Sequence, residues 1–390
     1  MSFVRLNADR LRIRCSDGLY ILSYLLCMTD AILISYTTLN GSAAARVASL
    51  CLRAAALLVM GGKLIWDGKQ RMSALLFTGT VFLFTAVSTL RSGYNHLFYL
   101  TVAFLGIWNV DGYKALWADL MARAALTLII VSCSLAGAIE NYITYRMGST
   151  ALRYSLGFNH PNTLASLAMS LALEEAWLTR RRPGLAYTLA ITSAAAVMYA
   201  VTLNRTAIGL MAAFPLLLPL AFLRRPVGRI ERLFWELFPL LIMGFSVAAM
   251  FLCQWSPLFR EFDQLMSNRF LNALKVYRQH GIAFLGQKVN LRSVRMAREL
   301  HDSPILLDVA YLRTLIQAGP AALLFQAALY VAAFRRACLN HDRYTILMYA
   351  LFLLYGMFES GFNNVFMNFT LLLAMRSFFS QKWLCWPKCT

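Results

Sequence analysis

Residues 233–254 read LFWELFPLLIMGFSVAAMFLCQ, and the one charge in these 22 residues is Glu236. A stretch this long and this apolar has the ~20 residues a helix needs to cross the hydrocarbon core of a bilayer. Similar stretches run at 17–38, 47–66, 73–90, 96–110, 118–139, 158–178, 185–203, 207–223, 306–334, 344–358 and 363–379. That pattern predicts twelve crossings. Composition agrees, since 59% of the 390 residues are hydrophobic and only 14% are charged, against about 25% charged in soluble domains. The expectation is an all-α polytopic membrane protein, one transmembrane domain over 1–390, and a water-soluble globule is excluded. The first span follows Arg10, Arg12 and Arg14 as a signal peptide would, yet it is too long and carries Asp30, so it reads as an uncleaved helix.

The chain holds 37 basic and 18 acidic residues, a net charge of +19. In a soluble protein such an excess would suggest a nucleic-acid partner; in a membrane protein, Lys and Arg collect in cytoplasmic loops because they are poorly translocated. With the N-terminus inside, the cytoplasmic segments hold 22 of the 37, among them Arg123, Arg180, Arg181, Arg182, Arg335 and Arg336, and the short outer loops hold Arg91, Arg146, Arg153 and Arg205. This asymmetry predicts cytoplasmic N- and C-termini and leaves no charge excess for a nucleic acid. The eight cysteines fall in apolar or cytoplasmic segments, which argues against an external disulfide framework.

The long break, residues 255–303, is an outer loop between helices 9 and 10. Trp255, Phe259, Phe262, Phe270, Leu274 and Tyr277 predict amphipathic, partly helical structure there. Eight basic residues against Glu261, Asp263, Glu299 and Asp302 make it net +4 on the face where positive charge is scarce. Guanidinium groups that grip phosphate oxygens would explain the excess; so would attraction to lipid headgroups or pairing within the loop. Arg269 and Arg278 are the stronger anion-binding candidates, because Arg292, Arg295 and Arg298 have the spacing of one solvated helix face. His96, His160, His280, His301, Glu140, Asp308 and Glu359 map to the same side. Ionisable residues beside membrane helices face cavities by default, so one outward-facing polar chamber is expected.

Short motifs line that chamber. Leu156-Gly157-Phe158-Asn159-His160-Pro161-Asn162 opens helix 6, Asn204-Arg205-Thr206-Ala207 joins helices 7 and 8, and Phe358-Glu359-Ser360 with Asn364 and Asn368 marks the corner of helices 11 and 12. With Asn268-Arg269-Phe270, Gly286-Gln287 and Asp308-Val309-Ala310-Tyr311-Leu312-Arg313 ahead of Gly319, the order resembles the bacterial polysaccharide polymerases of the Wzy type, which are related to the O-antigen ligases. The resemblance covers about 155–375; the first 150 residues share only hydropathy.

The resemblance implies a multi-pass glycosyltransferase of the bacterial cytoplasmic (inner) membrane, active on its outer face in O-antigen, capsule or exopolysaccharide biosynthesis. A growing chain leaves its undecaprenyl pyrophosphate carrier and is transferred to the non-reducing-end sugar of an incoming lipid-linked oligosaccharide. A chain-length regulator and a flippase of the same pathway are the expected partners, beside the lipid bilayer. Such a reaction needs an electrophile for the departing pyrophosphate and an acceptor for the proton of the attacking hydroxyl. The sequence has no DxD pair on the outer side and no His-x3-His ligand spacing, so no metal or cofactor is expected and arginine is the available electrophile.

Arg205 and Arg269 match the family's outer-face arginines, with Arg278 and Arg313 near them in the pattern; snorkelling to headgroups is the plainer account of Arg205. Asp308 stands where related ligases carry a histidine before their Tyr-Leu pair, which makes it the candidate base unless it is salt-bridged to an arginine. His301 is the reserve. His160 and Glu359 are candidate sugar-binding residues, although His160 before Pro161 can simply cap helix 6 and Glu359 can bond the start of helix 12. Two other functions share this layout, an O-antigen ligase and a twelve-helix transporter or flippase. Against the transporter stand the lack of repeating halves and polar residues that crowd one face instead of the midplane.

Overall fold

A computed structural model describes residues 15–67, 72–107, 110–145, 150–223, 225–292, 297, 301 and 304–379. Arg146, Arg224, Arg295, Arg298, Cys385 and Cys389 lie outside the described residues. Of the described residues 75% are helical and 3% strand, and each of the twelve apolar stretches contains a helix. Helix α1 (Cys15–Thr29) runs on through a π turn (Asp30–Ser35), followed by α2 (Ala43–Trp66), α3 (Met72–Ser92), α4 (Asn95–Gly106) and α5 (Gly112–Leu135). A hairpin, β1 (Ile143–Tyr145) and β2 (Leu152–Tyr154), pairs Thr144 with Arg153 and leads into α6 (Pro161–Thr179), α7 (Leu185–Thr202), α8 (Arg205–Leu217) and α9 (Arg229–Leu252). Seven helices among the described residues are long and apolar enough to cross a membrane: α1 with its π turn, α2, α5, α7, α8 with its 3-10 extension to Phe222, α9 and the later Pro320–Leu339.

Side-chain caps fix where several helices begin. Ser42 accepts the Ala45 N–H at 3.0 Å, Asp111 accepts the N–H groups of Tyr113 and Lys114, and Asn204 accepts that of Ala207 at 2.8 Å, each satisfying donors that the first turn leaves orphaned. The outward faces are apolar: Leu50, Leu58 and Ile65 on α2, Leu185, Leu189 and Val197 on α7, and Leu233, Leu240 and Leu241 on α9 are all exposed, as lipid-facing residues are.

The loop that follows α9 is largely helical over 257–280. Helices α10 (Pro257–Leu265) and α11 (Arg269–His280) meet at Asp263, whose buried carboxylate accepts the backbone N–H groups of Phe270 at 2.8 Å and Leu271 at 2.9 Å. Arg292 pairs with Ile305 in an antiparallel bridge, so its place is an extended segment and the solvated helix face expected for it is corrected.

The tenth apolar stretch, expected as one helix over 306–334, is broken. A short helix α12 (Ala310–Arg313) passes into a π turn (Thr314–Ala318), and the long helix α13 (Pro320–Leu339) starts anew. Pro320 lacks the N–H that would continue the ladder, and Gly319 sits at φ +96, where an added Cβ would lie 2.2 Å from the Phe284 carbonyl oxygen. The break is thereby a seat for the loop: the Gln287 N–H donates to the Gln317 carbonyl at 3.0 Å, and the Ser88 hydroxyl of α3 donates to the Ala318 carbonyl at 3.1 Å. Helix α14 (Arg343–Gly356) is buried on nearly every side, a 3-10 turn (Ser360–Asn363) follows it, and α15 (Thr370–Phe379) is the last element among the described residues. At its other end α14 is tied to α6, where Asp342 takes a two-pronged ion pair from Arg180 at 2.8 and 3.0 Å and caps Thr345.

Arg123 corrects the charge count. It lies halfway along α5, fully buried, ion-paired to Asp119 at 2.7 Å and to Glu174 of α6, with bonds to the Ser170 hydroxyl and the Phe366 carbonyl. It is a core residue rather than a loop charge.

Candidate functional site

Helix α14 ends at Gly356, and the chain turns so that Glu359 points into the protein, 6% exposed. Three elements reach it. Arg269, the first residue of α11, donates from Nη2 to Glu359 Oε1 at 3.1 Å. Asn204, the N-cap of α8, donates from Nδ2 to the same oxygen at 3.3 Å, and Asn162 of α6 places its Nδ2 3.4 Å from both carboxylate oxygens. The runs around His160, Asn204, Arg269 and Glu359, up to 197 residues apart, thus converge on one carboxylate.

Local chemistry holds each partner. Asp263 sets the start of α11 and so the position of Arg269. Arg153 of β2 bonds Asn162 Oδ1 and the Thr202 carbonyl, tying the hairpin to α6 and to the end of α7. Burial pushes the Glu359 carboxyl above its ordinary value; the Arg269 charge opposes this, and the Asp308 charge adds to it. Burial of Arg269 works against its charge, but Glu359 and Asp308 outweigh it, so the guanidinium is held charged. Its Nη1 is buried without a hydrogen-bond partner. A cation tethered on one arm and unsatisfied on the other can meet an incoming anion.

Asp308 precedes α12 and is half-buried. Its charge acts on both members of the pair, yet among the described residues it forms neither an ion pair nor a hydrogen bond, so the salt bridge weighed for it is not made. His301 is exposed at φ +52, and among the described residues no hydrogen bond joins it to this cluster. Arg205 is exposed: in the Asn-Arg-Thr-Ala run it is Asn204 that turns inward as cap and Glu359 partner, while Arg205, one residue on, faces out. Arg278 lies on the exposed side of α11 and bonds Gln254 Oε1 at 2.5 Å, apart from the Glu359 cluster. His160 is the N-cap of α6, its Nδ1 accepting the Asn162 N–H at 3.1 Å, and Pro161 fills the first helical position. Glu359 bonds side chains from three other elements, and the bond to the start of helix 12 considered for it is not formed.

Arg313 belongs to an adjoining group. It donates to Gln317 Oε1 and to the Ser360 hydroxyl, both at 3.2 Å, and lies 5.0 Å over the Tyr94 ring. Asn363 completes this wall, bonding Tyr94, Thr314 and the Ala310 carbonyl. Asn162, Asn204 and Ser360 stand in the motifs without a role, and Asn363 and Tyr94 stand outside them; neutral amides and hydroxyls give no charge signal to a reading built on charge. The polar residues do not all gather at one end either, since Arg123, Asp119 and Glu174 are buried within α5 and α6. Among the described residues no three His, Cys, Asp or Glu side chains cluster as metal ligands do.

Compared with protein-family models, curated proteins and solved structures, the chain matches none.

Proposed function

We propose that this chain is a polysaccharide polymerase of the Wzy type, working on the outer face of the bacterial cytoplasmic membrane with twelve crossings and both termini inside. The observation that carries the reading is the Arg269–Glu359 pair, on which four separate motif segments converge beside Asp308, which has no ion pair among the described residues. In the proposed reaction the bond between the anomeric carbon of the growing chain and its diphosphate oxygen breaks, and a bond to the hydroxyl oxygen of the incoming unit forms. The free arm of Arg269 meets the charge that develops on the departing diphosphate. Asp308 takes the hydroxyl proton, and Glu359, fully engaged in hydrogen bonds, positions Arg269. Undecaprenyl pyrophosphate and a lengthened lipid-linked chain are the products.

One observation favours the transporter reading: charged groups buried within α5 and α6, together with an apolar stretch interrupted at Gly319. Purified protein in liposomes, supplied with a synthetic undecaprenyl-pyrophosphate-linked oligosaccharide, separates the two. A ladder of longer lipid-linked products with released undecaprenyl pyrophosphate supports the polymerase; movement of the unchanged substrate across the bilayer without a ladder overturns it.

A further inference from the structure

Helix α6 carries Asn162, Ser166, Ser170 and Glu174 at four-residue spacing, a polar stripe along one helix face. Asn162 reaches Glu359, Ser166 accepts the Tyr355 hydroxyl at 2.6 Å, and Ser170 accepts Arg123 Nη1 at 2.7 Å. Glu174 ends the stripe fully buried, and the reaction proposed at Glu359 makes no use of it. An ionisable group buried within a membrane helix is costly and asks for a role.

Two carboxylates and one cation meet there. Arg123 Nη2 contacts Glu174 Oε2 and lies 2.7 Å from Asp119 Oδ2, so both acids converge on a single nitrogen. The other neighbours are neutral: the Tyr24 hydroxyl of α1 donates to Asp119 Oδ1 at 2.8 Å, and Ser170 and the Phe366 carbonyl accept from Arg123 Nη1. The remaining polar groups on the packed elements are engaged elsewhere. Tyr20 bonds the Ala103 carbonyl, Tyr344 of α14 bonds the Ala176 carbonyl, and Asp30 of the π turn pairs with Arg53. Arg376 of α15 donates to the Ile107 carbonyl at 3.2 Å, and the charges that act on it are those of Arg336, Asp111 and Asp17. Among the described residues no second cation pairs with Asp119 or Glu174. Ionised together, the two acids would leave one buried negative charge uncompensated beside a like charge.

The acids differ in their support. Asp119 Oδ1 has the Tyr24 hydroxyl, whereas Glu174 Oε1 is buried without a hydrogen-bond partner. An anionic oxygen with no donor costs more there than a neutral hydroxyl. We infer that Asp119, Arg123 and Glu174 form a proton-binding site: at neutral pH Glu174 carries one proton on Oε1, its Oε2 accepts from Arg123, and Asp119 is the counter-ion. A proton suits the place better than a metal ion. Among the described residues no third His, Cys, Asp or Glu joins the two acids, and the Arg123 guanidinium stands between them. The inference does not rest on the polymerase reading. Its consequence runs along the stripe: loss of the proton sets two like charges against each other across the contact of α5 with α6, the helix whose first turn carries Asn162 to Glu359.

Infrared difference spectra of the purified full chain against Glu174→Gln and against Asp119→Asn, at neutral pH, test the site. Removing either acid leaves one carboxylate for Arg123. Each difference is therefore expected to show loss of the carbonyl band of one protonated carboxyl, with the carboxylate bands unchanged. Isotope labelling of the glutamate carboxyls should shift the lost band; a band shifted by labelled aspartate instead overturns the assignment to Glu174. Loss of a carboxylate band in both variants, with every protonated band intact, overturns the site itself. Glu174→Gln has the shape of the protonated acid, so it should fold and melt like the parent. If it fails to fold while Glu174→Asp folds, the charge and not the proton is what the protein needs, and the inference falls. The double variant strips Arg123 of both acids and should lose much of its folded yield; a double variant as stable as either single one would also count against the site.

Discussion

Arg269 and Glu359 are 90 residues apart in the chain and meet at 3.1 Å, one at the start of a loop helix and the other at the turn after α14. The contact joins the helical part of the loop to the most deeply buried part of the helical core. Asn162 and Asn204 bring two more segments to the same carboxylate, so four connections share one polar centre.

Breaking that pair from one side leaves a buried charge without its counter-ion. Glu359→Gln and Arg269→Gln are each expected to lower stability by roughly 3–5 kcal/mol, and the double variant by clearly less than their sum. Thermal unfolding of the four purified proteins in one detergent checks this. Additive losses would mean that the two side chains do not act as a pair.

Gly319 seats the loop on the broken helix. Gly319→Ala places a Cβ against the carbonyls of Phe284 and Ala283 at a positive φ, and alanine at such a position costs more than about 1 kcal/mol. Faster proteolysis within 281–292, with little change in helix content by circular dichroism, is the expected result. A variant as resistant as the parent would show that the loop is held elsewhere.

Much of this was readable in the sequence, for reasons that particular residues make plain. Length and apolarity located a helix in each of the twelve stretches, because a membrane helix must supply its own backbone hydrogen bonds and cover itself with apolar side chains. Charge and motif order marked Arg269, Asp308 and Glu359. The reading faltered where two rules conflict. Arg123 reads as a loop charge because the positive-inside rule assumes an exposed residue; Asp119, four residues earlier on the same helix, is a local hint of a partner, but nothing local announces Glu174. The Gly319-Pro320 pair carries the signal for the break, and only the apolar residues on both sides of it make the stretch read as one span. In Asn204-Arg205 the charge marks Arg205 and leaves Asn204 without a role, yet the inward-facing position is set by the helix cap, which asparagine provides and arginine does not.

The Arg180–Asp342 pair makes stability depend on pH at the opposite end of α14. Burial pushes the Asp342 carboxyl up, but the Arg180 charge and the hydrogen bonds from Arg180 and Thr345 outweigh it and hold the group below its ordinary value. A carboxyl depressed on folding contributes stability above its unfolded value, and that contribution is lost as pH falls through the unfolded and then the folded value. Asp342→Asn is therefore expected to melt lower than the parent at neutral pH, with the gap closing on acidification below the usual aspartate range. A gap independent of pH would assign the loss to the Thr345 cap alone.

The central claim is that Asp308 and the Arg269–Glu359 pair form a centre for glycosyl transfer, and turnover of a synthetic undecaprenyl-pyrophosphate-linked oligosaccharide by purified variants tests it most directly. Asp308→Asn keeps shape and removes basicity, so polymer formation should fall by the ~10²–10⁴-fold typical of losing a general base while the melting temperature holds. Arg269→Lys, which keeps the charge and loses the planar fork, should be impaired as well. That pattern, set against a polymerising parent, is the predicted result; undiminished polymer formation by Asp308→Asn and Arg269→Lys would contradict it.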